Sequence, residues 1–411
     1  MTAQTSTLSA PPSSLPPSAP ATARAVFSLL GRLSVGQLDV QWPDGTMQRF
    51  GSSDRGGPHG AMRLLNWNVC GAALRSGDIG FAESFIAGDW HTPDLTALLR
   101  VFVANRSAIE DVFYGSWWGA LLYRVKHLLN RNSRRGSKKN IHAHYDLGNA
   151  FYKLWLDETM NYSSAWFDGD RTRALPDAQR AKVRRALDEC GLQPGQRLLE
   201  IGCGWGAVAE AAARERGAQV VGVTLSSEQL AWARERMAAA GVAERADLRL
   251  QDYRDIADSP FDAIVSIEMF EAVGREYWPG FFATLRDKLK PGGRACIQTI
   301  TIRDDLFERY VAGTDFIQQY IFPGGLLPSP SEFRKAARAA GLEVVGEIAF
   351  GADYAETLRR WRERFLSEEA RVRRTGFDTR FVRTWEFYLA YCEAAFAEGN
   401  TDVMQFTLRR A

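Results

Sequence analysis

Between Arg197 and Ile302 apolar runs alternate with helical patterns, and this alternation restricts the fold more than any other feature of the chain. RLLEIGCGWG (Arg197 to Gly206) is an apolar strand running into a glycine turn. AVAEAAARERG reads as a helix, QVVGVTLS as a strand, EQLAWARERMAAAG as a helix and ADLRLQDYRD as a strand. FDAIVSIEMF is a further strand, WPGFFATLRDKLKPGG a helix with a Pro-Gly-Gly stop, and RACIQTITI a strand. Parallel neighbours cannot be joined by a hairpin; each needs a crossover, usually a helix. The expected class is α/β, a Rossmann-like parallel sheet with helices on both faces, and no internal repeat is visible.

A chain of 411 residues is long for one core, so a second domain is expected. Residues 1–24 are rich in Ser, Thr, Ala and Pro and read as a disordered tail, without the basic and apolar segments of a signal peptide. GQLDVQWPDGTMQRFG (Gly36 to Gly51) alternates about Pro-Asp-Gly as a β-hairpin does. LTALLRVFVAN and SWWGALLYRVKHLL follow as helices. These elements make a smaller α+β accessory domain over 25–130. A basic linker, 131–140, carries the boundary near residue 138, and the α/β domain takes 141–411.

Bulk properties exclude several classes. The formal net charge is only +2, so no global field draws the chain onto nucleic acid. No apolar run reaches the roughly 18 residues that a membrane-spanning helix requires. Cys70, Cys190, Cys203, Cys296 and Cys392 are scattered with no CxxC pair, which reads as reduced thiols in a cytoplasmic protein and as no metal site. All five histidines lie at or before His144, so chemistry beyond that point does without imidazole.

Two motifs carry chemistry. In EIGCGWG the glycines let the backbone turn tightly and approach a ligand closely. The third glycine comes too early for the dinucleotide fingerprint, GxGxxG, and the second strand ends in VTLSSEQ without the acid that would hold a ribose. The second motif is the strand FDAIVSIEMFEAVG, which runs straight into Glu268 and Glu271. Ionised carboxylates at the end of an apolar run are costly unless paired or used.

The EIGCGWG turn is similar to that of S-adenosylmethionine (SAM) methyltransferases. AHYDLGNAFYKLWLDETMNYSSAWF, VVGVTLSSEQ, YIFPGGLLPS and FGADYAETLRRW narrow the match, for together they resemble the cyclopropane-fatty-acyl-phospholipid synthase family. GDIGFAESFIAGDW (Gly77 to Trp90) looks like that family's accessory domain. The resemblance implies a SAM site. Tyr162 and Ser163 would hold the SAM carboxylate, Gly202 and Gly204 would pass under the methionine part, and Glu200, Cys203, Trp205 and Gly206 of the same turn would also belong to the cofactor site. Thr224 and Gln229 would line the ribose with Leu225 a further cofactor-site residue, and Asp252, Tyr253 and Arg254 would grip the adenine.

The same resemblance implies a bicarbonate ion acting as base. Its cradle in the family is a Cys, a Glu, a His, an Ile backbone and a Tyr. Here those positions hold Ser164, Glu271, Gln298, Ile300 and Tyr354, so the Cys and the His are replaced, and FEH has become FEA with Ala272. Ser and Gln still donate hydrogen bonds, so an anion can still be held. Many family members have glycine where this chain has Glu268, which therefore reads either as an added base near the sulfonium or as a sheet-edge acid bonded to a backbone N–H or an arginine. Cys392 matches a cysteine once regarded in the family as catalytic, but its apolar helical context suits a buried small side chain.

The implied reaction puts the methylene of SAM across the cis double bond of an unsaturated phospholipid acyl chain, giving a cyclopropane. Alternatives are methylene- or methyl-branched products with a partner reductase, a small-molecule N-methyltransferase, and a non-catalytic lipid- or SAM-binding module. The segment from Trp117 to Lys139 joins two tryptophans, an amphipathic pattern and a basic run. It reads as an anchor on anionic lipid at the inner membrane face, or as an interdomain helix and solvated linker. A homodimer is a further expectation.

Overall fold

The structure is a computed structural model that describes residues 15–16, 18–52, 56–109 and 147–411. The basic linker and the Trp117 to Lys139 segment lie outside the described residues.

The chain forms two compact units. The first holds a four-stranded sheet, order β2-β1-β3-β4, with β1 Gln37–Gln41, β2 Met47–Gly51, β3 His59–Leu64 and β4 Trp90–His91. β1 and β2 are the expected hairpin, turning through Trp42 to Thr46. Their side chains alternate, buried with half-buried in β1 and buried with exposed in β2, as in a sheet covered more fully on one face. Helices Ala21–Leu30, Asn68–Ala87 and Leu95–Ala104 belong to this unit. Residues 21–24, read from sequence as the end of a disordered tail, are the first turn of the first helix. Leu38, Val40, Leu64, Phe81, Phe102 and Phe387 are among the residues around an apolar cavity of about 90 Å³.

Arg383–Ala394, expected within the α/β domain, belong to this first unit. The reason is local bonding. Glu393 accepts from Thr96 Oγ1 at 2.9 Å, the Tyr391 hydroxyl donates to Asp78 Oδ2 at 2.9 Å, and Phe387 packs on Phe81 and Phe85.

The second unit is built on a seven-stranded sheet of order β10-β11-β9-β8-β5-β6-β7. Its strands are β5 Arg197–Ile201, β6 Gln219–Thr224, β7 Ala246–Leu250, β8 Phe261–Ile267, β9 Leu289–Ile302, β10 Leu342–Ala349 and β11 Thr401–Arg410. β7, β6, β5, β8 and β9 run parallel, while β11 lies antiparallel to β9 and β10. β5, β6 and β8 are buried along most of their length, as parallel strands covered on both faces must be. Helices Leu175–Glu189, Ala207–Glu215 and Ser227–Ala239 supply Leu187, Ala212, Leu230 and Met237 to one core. Trp278–Lys288 and Pro330–Ala339 supply Phe281, Phe282 and Phe333 to another. Pro291 and Gly292 do not separate helix from strand as their residue types suggest. β9 already begins at Leu289, and its register against β8 shifts between Phe261 and Ala263.

Candidate active site

The turns that follow β5, β6, β7 and β8 all leave the carboxyl ends of parallel strands, where open α/β sheets bind ligands. In the first turn Gly202, Gly204 and Gly206 have φ of +86°, +49° and +85°, a region that favours glycine. Gly202 and Cys203 both donate their N–H to the Val223 carbonyl at 3.0 Å, folding the turn back over β6. A Cβ on Gly204 would meet no atom within 4 Å, so open space lies against this backbone. A Cβ on Gly206 would press on Ala233 at 3.0 Å, so that glycine serves packing. Cys203 is buried, and desolvation drives its thiol well above the ordinary range, which makes it inert. Trp205 is buried and donates its indole N–H to Asn149 Oδ1 at 2.7 Å. Glu200 is also buried, its carboxyl is raised well above the usual value by desolvation, and its Oε2 has no partner among the described residues.

After β6, Thr224 donates its hydroxyl to Gln229 Oε1 at 3.0 Å, and Ser226 caps the next helix by accepting from the Gln229 N–H. Leu225 between them is half-buried. After β7, Arg254 grips both oxygens of Asp252, at 2.8 and 2.5 Å, and Tyr253 stacks edge-on against Phe281. Burial raises the Tyr253 phenol to about 12.

The segment Tyr162 to Phe167 is held residue by residue. Gln179 Nε2 donates to the Ser163 carbonyl at 2.8 Å, and Lys182 Nζ donates to the Ser163 hydroxyl at 2.5 Å. The Ser164 N–H donates to Glu268 Oε1 at 2.8 Å, the Ala165 N–H to Thr357 Oγ1 at 3.2 Å and the Phe167 N–H to Asp353 Oδ2 at 2.7 Å. Tyr162 packs among Tyr152, Trp155, Phe322 and Trp361.

Glu268 follows β8 with φ of +50°, an uncommon backbone for a residue with a Cβ. Its carboxylate accepts from the Ser164 N–H, from Gln298 Nε2 at 2.7 Å and from the Tyr354 hydroxyl at 2.7 Å. Gln298 is held in turn by Gln405 Nε2 at 3.0 Å. Glu271 accepts on Oε1 from the Ile300 N–H at 2.5 Å and from Thr299 Oγ1 at 3.0 Å, while its Oε2 has no partner among the described residues.

The two carboxyls differ in charge preference. Burial pushes Glu268 up, and the Lys182 ammonium and three hydrogen bonds pull it back. Burial, and then the charge of Glu268, push Glu271 up to about 8. Of the pair Glu271 is held further toward its protonated form, because the charge of Glu268 adds to its burial, whereas three donors and the Lys182 ammonium favour the charge on Glu268.

The structure therefore brings together Ser164, Glu268, Gln298 and Tyr354, and sets Glu271 beside Ile300. Cys392 falls in the first unit. Lys182, Gln179, Thr299 and Gln405 were not singled out from sequence. Lys182 had a signal, since it sits on the buried stripe with Ala178, Gln179, Val183 and Ala186. Among the described residues no cluster of metal ligands occurs, and no helix is long and apolar enough to cross a membrane.

A family match described as mycolic acid cyclopropane synthetase covers residues 132–406. The chain belongs to this family. It is 42% identical over 345 residues to a tuberculostearic acid methyltransferase of Mycobacterium tuberculosis, covering 82% of this chain and 80% of that one. It is 34% identical over 369 residues to the cyclopropane-fatty-acyl-phospholipid synthase of Escherichia coli, covering 89% of this chain and 91% of the relative. The solved mycolic acid cyclopropane synthase CmaA1, complexed with SAH and CTAB, aligns with a TM-score of 0.62 at 33% identity, over 66% of this chain and 98% of that one. This member of the mycolic acid cyclopropane synthetase family is a SAM-dependent methyltransferase with the fold of that neighbour.

The site suits SAM on its own chemistry. Open space adjoins Gly204, the Glu200 carboxyl has an orphaned oxygen, and Ser163 offers a hydroxyl proton that no acceptor among the described residues takes up.

Proposed function

We propose that the enzyme transfers the methyl group of SAM to the double bond of an unsaturated acyl chain of a membrane phospholipid, and that Glu268 is the base completing the reaction. The observation that carries this is the Glu268 carboxylate, held by Ser164 N–H, Gln298 and Tyr354. These are three of the positions the family resemblance assigns to a bicarbonate cradle, with Ser164 contributing its backbone N–H while its hydroxyl donates to the Ala165 carbonyl at 2.9 Å. With those donors engaged, the residues present do not fit a separate bicarbonate, and Glu268 takes its place. The strained backbone of Glu268 supports the same reading, since such strain gathers at working residues.

SAM, when bound, supplies an electrophilic methyl, and its capture by the alkene leaves positive charge on the neighbouring chain carbon. Tyr162 and Ser163 hold the cofactor's carboxylate, and Gly202 and Gly204 give its methionine part a close backbone. Thr224, Gln229 and the Asp252 to Arg254 turn meet the nucleoside. Glu268 then accepts a proton, with Tyr354 and Gln298 holding the carboxylate in place. Tyr354, Phe322 and Trp361 wall the site with apolar surface that tolerates the cation and excludes water.

Ring closure follows if the proton leaves the new methyl, and the electron pair of that C–H bond becomes the third ring bond. This is the first reading, supported by 34% identity with a cyclopropane synthase over most of both chains. Branching follows if the proton leaves a chain carbon, giving an olefin that a reductase would complete. That second reading is favoured by 42% identity with a tuberculostearic acid methyltransferase.

Lipid mass spectrometry of a host lacking its own synthase tests the function. A gain of one CH2 unit on monounsaturated chains is expected. Loss of the double bond with cyclopropane protons in the NMR spectrum selects ring closure, and a retained olefin selects branching. Unchanged lipids would reject both.

A further inference from the structure

Lys182 is the one lysine among the described residues that is buried, and it carries no counter-ion in direct contact. Its ammonium has a single hydrogen-bond partner there, the Ser163 hydroxyl at 2.5 Å. The carboxylates of Glu268, Asp157 and Glu200 act on it from further away. A buried ammonium with two unused donors is costly, so its retention calls for a use.

The bond to Ser163 suggests what that use is. A hydroxyl has one proton and two lone pairs. Lys182 donates to one lone pair, so the Ser163 proton is left to be given to another group. Gln179 pins the Ser163 carbonyl at 2.8 Å, and the Ser164 N–H is fixed on Glu268, so the residue cannot turn away. Ser163 is thereby a preset donor backed by a positive charge, an arrangement that suits an anion.

We propose that Lys182 is a positioning residue for the cofactor's carboxylate, holding the Ser163 hydroxyl as a donor toward it and supplying the buried positive charge that offsets it. This rests on the reading that Ser163 meets that carboxylate. Lys182 itself touches neither the methyl group nor the acyl chain in this scheme, and acts through Ser163.

The test is calorimetric titration of the full chain with two ligands, SAM and decarboxylated SAM, which lacks the carboxylate. Lys182→Met should bind SAM about 10–100-fold more weakly, the range for a charge-assisted buried hydrogen bond, and bind the decarboxylated ligand as the parent does. Ser163→Ala should weaken SAM in the same selective way, and the double variant should lose no more than Lys182→Met alone. Equal losses for both ligands in Lys182→Met would make Lys182 merely structural and overturn the proposal. If Ser163→Ala weakens SAM and Lys182→Met does not, the placement of Ser163 stands and the proposal falls. If Ser163→Ala leaves SAM affinity unchanged, the underlying placement of the carboxylate is what fails. Lys182→Gln, should the methionine variant not fold, must show the same selectivity, and unchanged SAM affinity in it overturns the proposal equally.

Discussion

The site has two halves that satisfy their polar groups in different ways. In the half after β6 and β7, partners are neighbours in the chain. Thr224 bonds Gln229 five residues on, and Asp252 bonds Arg254 two residues on. In the half after β8 and β9, partners are remote. Glu268 meets Ser164 across 104 positions and Tyr354 across 86, and Gln298 meets Gln405 across 107. The local half is a set of turns and caps that a short sequence can build. The remote half exists only when five segments converge, those of Ser164, Glu268, Gln298, Tyr354 and Gln405, and it is the half that holds a carboxyl on strained backbone. Cofactor binding and proton removal should therefore respond separately to mutation.

The sharpest test of that separation is Glu268→Gln. Turnover should fall by about 10²–10⁴-fold, the usual worth of a positioned base, while SAM affinity stays near the parent value. The parent should also keep its rate in bicarbonate-free buffer. Single-turnover kinetics with calorimetry measures both. Normal turnover in the variant would remove Glu268 from the chemistry and dissolve the contrast between the halves.

Gly204→Val probes the other half. A β-branched residue at φ of +49° is strained, and its side chain would enter the open space beside the turn. SAM affinity should drop about tenfold or more, measured by calorimetry on variant protein that still melts cooperatively. Unaltered affinity would move the cofactor away from this turn.

The smallest effect is on stability. The Glu271 carboxyl stands at about 8 in the folded chain against 4.5 ordinarily. Between those values the folded protein holds a proton that the unfolded chain has released. The stability this group contributes is thus fully present below about pH 4.5 and is lost as pH rises through 8. Glu271→Gln should flatten the fall of Tm between pH 5 and 8 by about 5 °C or more. Parallel pH profiles for parent and variant would show that Glu271 is ionised in the folded protein.

Much of the α/β order was legible because strand and helix periods differ and the glycine turn follows an apolar run. The outer strands β10 and β11 were not, since TDVMQFTLRR mixes polar and apolar residues without clean alternation and is buried by its neighbours β9 and β10. Arg383–Ala394 were also misplaced, because a continuous helical pattern carries no mark of which unit each turn packs in. Cys392 went with them, and its family resemblance could not reveal that.

By itself the sequence determined the parallel sheet, the glycine turn at the end of β5, the presence of two glutamates after β8 and the family to which these belong. Each is a local pattern: periodicity, residue type and short spacing. Only the tertiary structure decided what surrounds the glutamates. It set three donors and a distant ammonium around Glu268, left Glu271 with an orphaned oxygen, and turned Lys182 from an apolar-face anomaly into the group behind Ser163. The physical reason is that a carboxyl's charge depends on its desolvation and on which dipoles and charges surround it. Those neighbours come from segments far apart in the chain, so no short stretch of sequence encodes them.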